Sequence, residues 1–169
     1  TAKVYQPGES YTYPLILKQL LTTPLIYSPD QEIVYRDKYR GTYRTLHERI
    51  NRLANGLTRL GVKPGDVVAV FDFDSHRYLE CFFGIPGMGA TLQTVNWRLA
   101  PEQVVYTINH AGAKAVIVNS TFLPLLQGIR DKLATVKTVI LIAEDGQKPE
   151  TALALAAAYE ALLGAAGTN

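Results

Sequence analysis

The stretch Val67-Val68-Ala69-Val70-Phe71, directly after the turn Pro64-Gly65-Asp66, decides the fold class of this chain. Five consecutive apolar residues bounded by turn residues are typical of a strand buried on both faces, as in a parallel sheet. Comparable runs follow at Ala115–Val118 and Val139–Ile142, and Thr91–Val95 is also strand-like. Runs this short do not predict a membrane span, which needs about 20 apolar residues.

Helical patterns separate these strands. Thr45 and Glu48 predict a capping box, and the following apolar residues recur at helical spacing up to Gly61, which predicts the helix end. Other helices are predicted over Thr12–Leu21, from Asp74 or Ser75 to about Gly87, from Pro101 to about His110, over Thr121–Ala134 and over Thr151–Leu163. Two short strands over Gln31–Tyr43 predict a hairpin. The alternation indicates an α/β fold with a mostly parallel sheet, flanking helices and an N-terminal β-hairpin.

The composition agrees with one globular domain. The chain has 169 residues, 47% of them hydrophobic and 19% charged, with a net charge of +2, which excludes a disordered chain. We expect a single domain over residues 1–163 and a disordered tail over 164–169. The single cysteine, Cys81, excludes a disulfide framework and a cysteine-rich zinc site. Since no signal peptide is visible, we expect a reduced, cytoplasmic setting.

The cationic residues are concentrated between Arg36 and Lys63, where eight of them stand against two acidic residues. Such a segment could belong to a noncatalytic interaction module. A solvated helix face is the favoured explanation, since a net charge of +2 is weak for a nucleic-acid binder. We therefore expect no nucleic-acid partner.

Asp72 and Asp74 follow the first buried strand and are candidates for carboxylate chemistry. Phosphatases of the haloacid-dehalogenase type begin with a strand followed by Asp-x-Asp, in which one carboxylate is the nucleophile and the other an acid or base beside Mg²⁺. That signature normally opens a domain, and the later acidic pair it needs could only be Glu144-Asp145. A helix cap at Asp74 and a turn at Asp72 explain both residues without catalysis. The three histidines are not spaced as metal ligands, so no metal site is predicted.

Three segments together resemble the N-terminal region of adenylate-forming acyl-CoA synthetases. They are TYRTLHERINRLANGLTRLGVKPGDVVAVF (residues 42–71), SHRYLECFFGIPGMGATLQTVNWRL (75–99) and APEQVVYTINHAGAKAVIVN (100–119). The run from Tyr78 to Leu99 is most similar to the medium- and long-chain fatty acid–CoA ligase branch. The hairpin sequence QEIVYRDKYRGTYRTL (31–46) fits the same region, so the resemblance covers roughly residues 15–163.

The resemblance implies a two-step reaction. A carboxylic acid attacks the α-phosphate of ATP and releases pyrophosphate, and the thiol of coenzyme A then displaces AMP from the acyl-adenylate. ATP, Mg²⁺ and coenzyme A are thus implied for the full-length enzyme, with a fatty acid as its substrate. No cofactor and no catalytic residue is assigned to this stretch. Candidates for a wall of the acyl pocket are His76, Asn96, Trp97 and Arg98, because Trp97 follows a predicted strand at an edge where ligands approach.

The phosphate loop, the adenine and ribose contacts and the catalytic lysine of such enzymes have no counterpart in these 169 residues. The resemblance therefore implies the N-terminal portion of a larger ligase, and we expect the chain by itself not to form an acyl-adenylate. We also expect it to self-associate through exposed apolar surface. The phosphatase and the interaction module remain the alternatives.

Overall fold

The computed structural model describes residues 16–144 and 149–168. The helices are α1 (Thr22–Tyr27), α2 (Tyr43–Arg59), α3 (His76–Gly87), α4 (Pro101–Ala111), α5 (Leu123–Ile129) and α6 (Tyr159–Ala165). The strands are β1 (Glu32–Tyr35), β2 (Tyr39–Thr42), β3 (Val67–Phe71), β4 (Thr91–Thr94), β5 (Ala115–Asn119), β6 (Thr138–Ile142) and β7 (Ala157–Ala158). Short 3₁₀ turns precede α1 and flank α5.

Strands β3 to β7 form the predicted parallel sheet, in the order β4-β3-β5-β6-β7. The chain leaves β3 for β4 on one side and then crosses to β5 on the other side of β3. This reversal is the switch point of a doubly wound fold. Strands β1 and β2 form the predicted antiparallel hairpin, in which Tyr35 faces Tyr39.

The apolar runs are long and continuous because both faces of the sheet are covered. Val68 and Val70 of β3 pack with α2, α3 and α6 on one face, whereas Ala69 and Phe71 pack with α4 and α5 on the other. All four side chains are fully buried. Burial of alternate residues on opposite faces explains why the strand sequence shows no polar alternation.

Helix α2 begins three residues before the predicted position. Thr42, not Thr45, is its N-cap, and the Thr42 hydroxyl accepts a hydrogen bond from the backbone N–H of Thr45 (3.2 Å). The predicted capping box of Thr45 and Glu48 is therefore wrong. The predicted end is confirmed, because Gly61 has a φ of +87° directly after the helix.

The glycine at position 84 is explained by packing between α2 and α3. A Cβ atom at Gly84 would lie 3.0 Å from Leu53 Cδ2 and 3.3 Å from the carbonyl oxygen of Ile50. This close approach brings the buried face of α3 onto α2.

Three predicted helices differ from the structure. The helix expected over Thr151–Leu163 is wrong in its first half, since Ala157 and Ala158 form β7 and only α6 follows. The helix expected over Thr121–Ala134 is confined to α5 and its flanking 3₁₀ turns. The start of the helix expected over Thr12–Leu21 lies outside the described residues, and its described part is a 3₁₀ turn at Leu17–Leu21.

The predicted domain end at residue 163 falls inside α6. Beyond that helix, Ala166 is buried, its carbonyl accepts a hydrogen bond from Arg52 (3.3 Å), and Asn55 donates to the carbonyl of Gly167 (2.7 Å). These residues of the expected tail are packed against α2. The division into one domain and a tail stays a prediction. Within the described ranges, no helix has the length and apolarity to cross a membrane.

Candidate functional site

The carboxyl edge of the sheet is the candidate site, because doubly wound sheets bind ligands outside the carboxyl ends of their strands at the switch point. Here the switch point lies between β3 and β5. Asp72 follows β3, and Asn119 is the last residue of β5. The Asn119 side-chain amide donates a hydrogen bond to Asp72 Oδ1 (2.8 Å), so the two strand ends are joined across the switch point.

Asp72 is a buried carboxylate that fixes the loop into α3. The Ser75 hydroxyl donates to Asp72 Oδ2 and accepts from the backbone N–H of Tyr78 (3.2 Å), which caps the helix. Burial raises the pKa of Asp72, and the hydrogen bonds from Ser75 and Asn119 oppose that rise. The helix cap is thus Ser75, one of the two residues predicted for it. Asp72 is occupied in positioning the start of α3.

The phosphatase alternative is not supported by this arrangement. Asp72 is buried, whereas Asp74 is exposed to solvent, so the two carboxylates do not share a site. Glu144 is paired with Lys38 (2.6 Å), and Asp145 lies outside the described residues. No group of three or more histidine, cysteine, aspartate or glutamate side chains in the described part of the chain could hold a metal ion.

Three aromatic rings meet beside the switch point, each from a different strand's carboxyl end. Trp97 follows β4, Phe73 follows β3, and Phe122 follows β5. The Trp97 ring stacks on Phe122 with centroids 5.1 Å apart and meets Phe73 edge-on at 5.8 Å, while Phe73 and Phe122 are 4.9 Å apart. We call these three residues the aromatic cluster. Phe122 is buried, and Phe73 and Trp97 are half-buried, so part of the cluster faces solvent.

The residues beside Trp97 hold its loop in place. The Asn96 side-chain oxygen accepts a hydrogen bond from the backbone N–H of Arg98 (3.0 Å). The Arg98 guanidinium lies 4.2 Å from the centre of the Trp97 ring, which is a cation–π contact. Of the residues predicted for an acyl pocket, Asn96, Trp97 and Arg98 are therefore brought together.

His76, the fourth predicted pocket residue, lies in different surroundings. It lines a cleft of about 560 Å³ between the hairpin and the starts of α3 and α6, which we call the polar cleft. Its ring is buried and stacks on Tyr39, with centroids 3.8 Å apart. Burial lowers the pKa of His76 to about 4, and the positive charges of Arg77 and Arg49 act in the same direction. His76 is therefore neutral at physiological pH.

The charges around the polar cleft are paired with one another. Arg49 binds Glu80 (2.6 Å) and Glu160 (3.0 Å), and Arg77 binds Glu160 (2.6 Å). The Tyr159 hydroxyl donates to Glu80 (2.8 Å). These contacts join α2, α3 and α6, so the network ties together three helices that lie far apart in the sequence.

Sequence reasoning missed this network. Glu80 stands on the apolar face of α3, next to Cys81, and a carboxylate in that position requires a partner. That signal could have identified Glu80 as a buried, paired residue. It could not have identified Arg49 or Tyr159 as its partners. Cys81 is fully buried beside Tyr159, and burial raises the pKa of its thiol, as expected for a core cysteine.

The basic segment between Arg36 and Lys63 is partly neutralised within the fold. Four of its cationic residues form ion pairs, namely Lys38, Arg40, Arg44 and Arg49. Two others, Arg52 and Arg59, donate hydrogen bonds to backbone carbonyl groups at the end of α6. Half of the cations in the segment therefore have an acidic partner within the fold, so fewer of them are free than the sequence alone indicates. This weakens the support for the interaction-module alternative.

Comparisons with known proteins agree with the α/β fold described above. Residues 27–164 match the family model described as AMP-binding enzyme. The chain is 41% identical over 138 residues to the long-chain-fatty-acid–CoA ligase of Thermus thermophilus, which covers 79% of this chain and 24% of that protein. It is 33% identical over 130 residues to the medium-chain-fatty-acid–CoA ligase of Ectopseudomonas oleovorans, covering 77% of this chain and 24% of that protein.

A solved structure of fatty acyl CoA synthetase from Mycobacterium tuberculosis is similar with a TM-score of 0.74 at 27% identity. The match covers 89% of this chain and 28% of the other. The chain therefore spans about a quarter of the length of the curated relatives it matches.

Proposed function

Because the chain belongs to the AMP-binding enzyme family, we propose that it serves as the N-terminal part of an ATP-dependent fatty acid–CoA ligase. Such an enzyme joins a fatty acid to coenzyme A through an acyl-adenylate and releases pyrophosphate and AMP. The two fatty-acid ligases that the chain resembles support this assignment of substrate class. The aromatic cluster is the structural observation that carries it, since it offers apolar surface at the edge where such a fold binds ligands.

The part played by the cluster is to face the acyl chain. Trp97 and Phe73 are half-buried, and their exposed surface suits a hydrocarbon chain, since removing apolar surface from water lowers the free energy. Asn96 and Arg98 keep the Trp97 loop in position through the hydrogen bond and the cation–π contact described above. His76 lines the polar cleft, and its contribution to an acyl pocket stays a prediction.

ATP, Mg²⁺ and coenzyme A belong to the proposal for the whole enzyme. No group of three or more histidine, cysteine, aspartate or glutamate side chains among the described residues could hold a metal ion, so we assign these residues no part in binding Mg²⁺. Their contribution is to form the apolar wall and to keep the carboxyl edge in one geometry.

Self-association and a cytoplasmic setting also belong to the proposal. The α1 region exposes Leu20, Ile26 and Tyr27 at 63%, 65% and 80% of their surface, which supports association through this face. Sedimentation over a concentration series tests it, and a monomer at every concentration would contradict it.

The single buried cysteine supports a reduced compartment, which fractionation of the source cells tests.

Replacement of Trp97 by alanine is expected to lower kcat/KM for long-chain fatty acids about ten-fold, by removing apolar contact. The measurement uses a chimera in which residues 27–164 replace the matching segment of the Thermus thermophilus ligase. Formation of acyl-CoA is followed for short and long acids, with the 169-residue chain alone as the blank. We expect the chimera to be active and the loss in the variant to grow with chain length.

Tyr106→Ala is the matched control, because Tyr106 is an aromatic residue on α4 that is 66% exposed and lies outside the aromatic cluster. It should leave the chain-length profile unchanged. Circular dichroism separates loss of folding from loss of activity. A folded chimera without ligase activity would contradict the proposed function, whereas an unchanged profile in Trp97→Ala would contradict only the role of the cluster.

A further inference from the structure

Three lysines line one cavity at the amino edge of the sheet, opposite to the candidate site. Lys114 directly precedes β5, Lys137 directly precedes β6, and Lys63 lies in the turn before β3. All three are exposed and line one concave cavity of about 320 Å³. We call them the lysine triad.

The parallel sheet brings these residues together and holds their backbone in place. The N–H of Lys137 donates to the carbonyl of Lys114 (2.9 Å), and the N–H of Lys114 donates to the carbonyl of Val67 (2.8 Å). Because β3, β5 and β6 are adjacent and parallel, their amino ends lie side by side. The triad is thus a consequence of the topology, although its members are far apart in the sequence.

The charge of the triad is only partly matched by the residues that the structure describes. The cavity is lined by three lysines and one carboxylate, that of Asp66. Asp66 Oδ2 accepts a hydrogen bond from the backbone N–H of Lys63 (2.9 Å). Across residues 16–144 and 149–168, none of the three ammonium groups forms an ion pair, whereas Lys38, Arg49 and Arg77 at the other edge all do.

We propose that the lysine triad binds a phosphate group. Lysine ammonium groups are compact, strongly hydrated cations with three donors each, and they bind phosphate as point charges. A concave cavity with an excess of two positive charges suits a small polyanion or a phospholipid headgroup. The chemistry of both is the same, and the source of the phosphate is what the experiment separates. The inference is independent of the proposed function, because it concerns the opposite edge of the sheet.

The test measures binding of the full chain to tripolyphosphate by calorimetry, and to phosphatidylglycerol vesicles by cosedimentation against vesicles of phosphatidylcholine alone. The triple variant Lys63→Gln, Lys114→Gln, Lys137→Gln is compared with each single variant. We expect each lysine substitution to weaken binding about five-fold, so the triple variant should bind roughly a hundred-fold more weakly. Binding of tripolyphosphate identifies a soluble phosphate ligand, and binding of the anionic vesicles alone identifies a lipid headgroup.

The matched control lowers the net charge equally at another surface, with Lys18→Gln, Arg40→Gln and Arg44→Gln. Arg40 and Arg44 have exposed side chains, and Lys18 lies on the 3₁₀ turn before α1. This control should bind within about three-fold of the unmodified chain, since only distant charges change. The proposal is overturned if neither probe binds the unmodified chain, or if the control loses as much binding as the triad variant. If the triple variant fails to fold, the single variants still test the proposal, because each should bind about five-fold more weakly than the unmodified chain.

Discussion

Replacement of Arg49 by methionine is expected to lower the free energy of unfolding by about 3–5 kcal/mol, the usual cost of removing one partner from a buried ion pair. The Glu80 side chain is completely buried, and Arg49 binds both of its carboxylate oxygens. Burial raises the pKa of Glu80, and Arg49 is the strongest influence opposing that rise. Without Arg49, the carboxylate would either stay charged in an apolar interior or take up a proton. Urea unfolding followed by circular dichroism measures the loss.

Arg44→Met is the matched control, since Arg44 lies on the same helix and also forms an ion pair. Its partner is Asp30, and the two side chains are 59% and 77% exposed. Exposed pairs contribute about 0–1 kcal/mol, so this variant should differ little from the unmodified chain. Equal losses in the two variants would contradict the importance assigned to the buried pair.

The double variant Arg49→Met, Glu80→Gln separates a lost attraction from a stranded charge. A glutamine at position 80 still accepts a hydrogen bond from Tyr159 and carries no charge. We therefore expect the double variant to be more stable than Arg49→Met alone. A double variant that is less stable than Arg49→Met would contradict the explanation by a stranded charge.

The architecture could be predicted because it depends on burial, which the sequence records directly. The run Val67–Phe71 has no polar residue because the sheet has helices on both faces. Helix α2 was predicted from its apolar stripe, and Leu46, Ile50, Leu53 and Leu57 are indeed buried. Predictions from such patterns are confirmed because each pattern involves many residues at once.

Some predictions that rest on a single residue or on propensity were wrong. Thr42 and Thr45 are both threonines near the start of α2, and only the extended backbone at Thr42 identifies it as the cap. The alanines before α6 favour a helix by propensity, yet Ala157 and Ala158 pair with Ile140 and Leu141 of β6. Pairing with an existing strand overrides a small intrinsic preference.

The candidate site was predictable only in part, because some of its contacts depend on the order of the strands. The residues Asn96, Trp97 and Arg98 are adjacent in the chain, and their position after a strand placed them at the carboxyl edge. The partners of Trp97, which are Phe73 and Phe122, come from other strand ends and depend on the strand order. His76 was grouped with Trp97 although α3 places it beside the hairpin, against Tyr39.

Acidification is expected to destabilise the chain through His76, because its pKa in the folded protein is about 4 against an ordinary value of 6.5. Burial is the main cause, and Arg77 and Arg49 add to it against the opposite effect of Glu160 and Glu144. Between these two pKa values the unfolded chain binds a proton that the folded chain does not. The free energy of unfolding therefore falls as the pH decreases from 6.5 to 4, by up to about 3 kcal/mol.

The variant His76→Phe isolates this contribution from the carboxylates that titrate in the same range. Phenylalanine keeps a ring against Tyr39 and has no group to protonate. Relative to this variant, the unmodified chain should lose up to about 3 kcal/mol between neutral pH and pH 4, measured by urea unfolding at each pH. His110→Phe is the control, since His110 lies at the end of α4 and does not line the polar cleft. A folded-state titration of the His76 ring near pH 6.5 by NMR would contradict the prediction, because a group with the same pKa in both states contributes no pH dependence to folding.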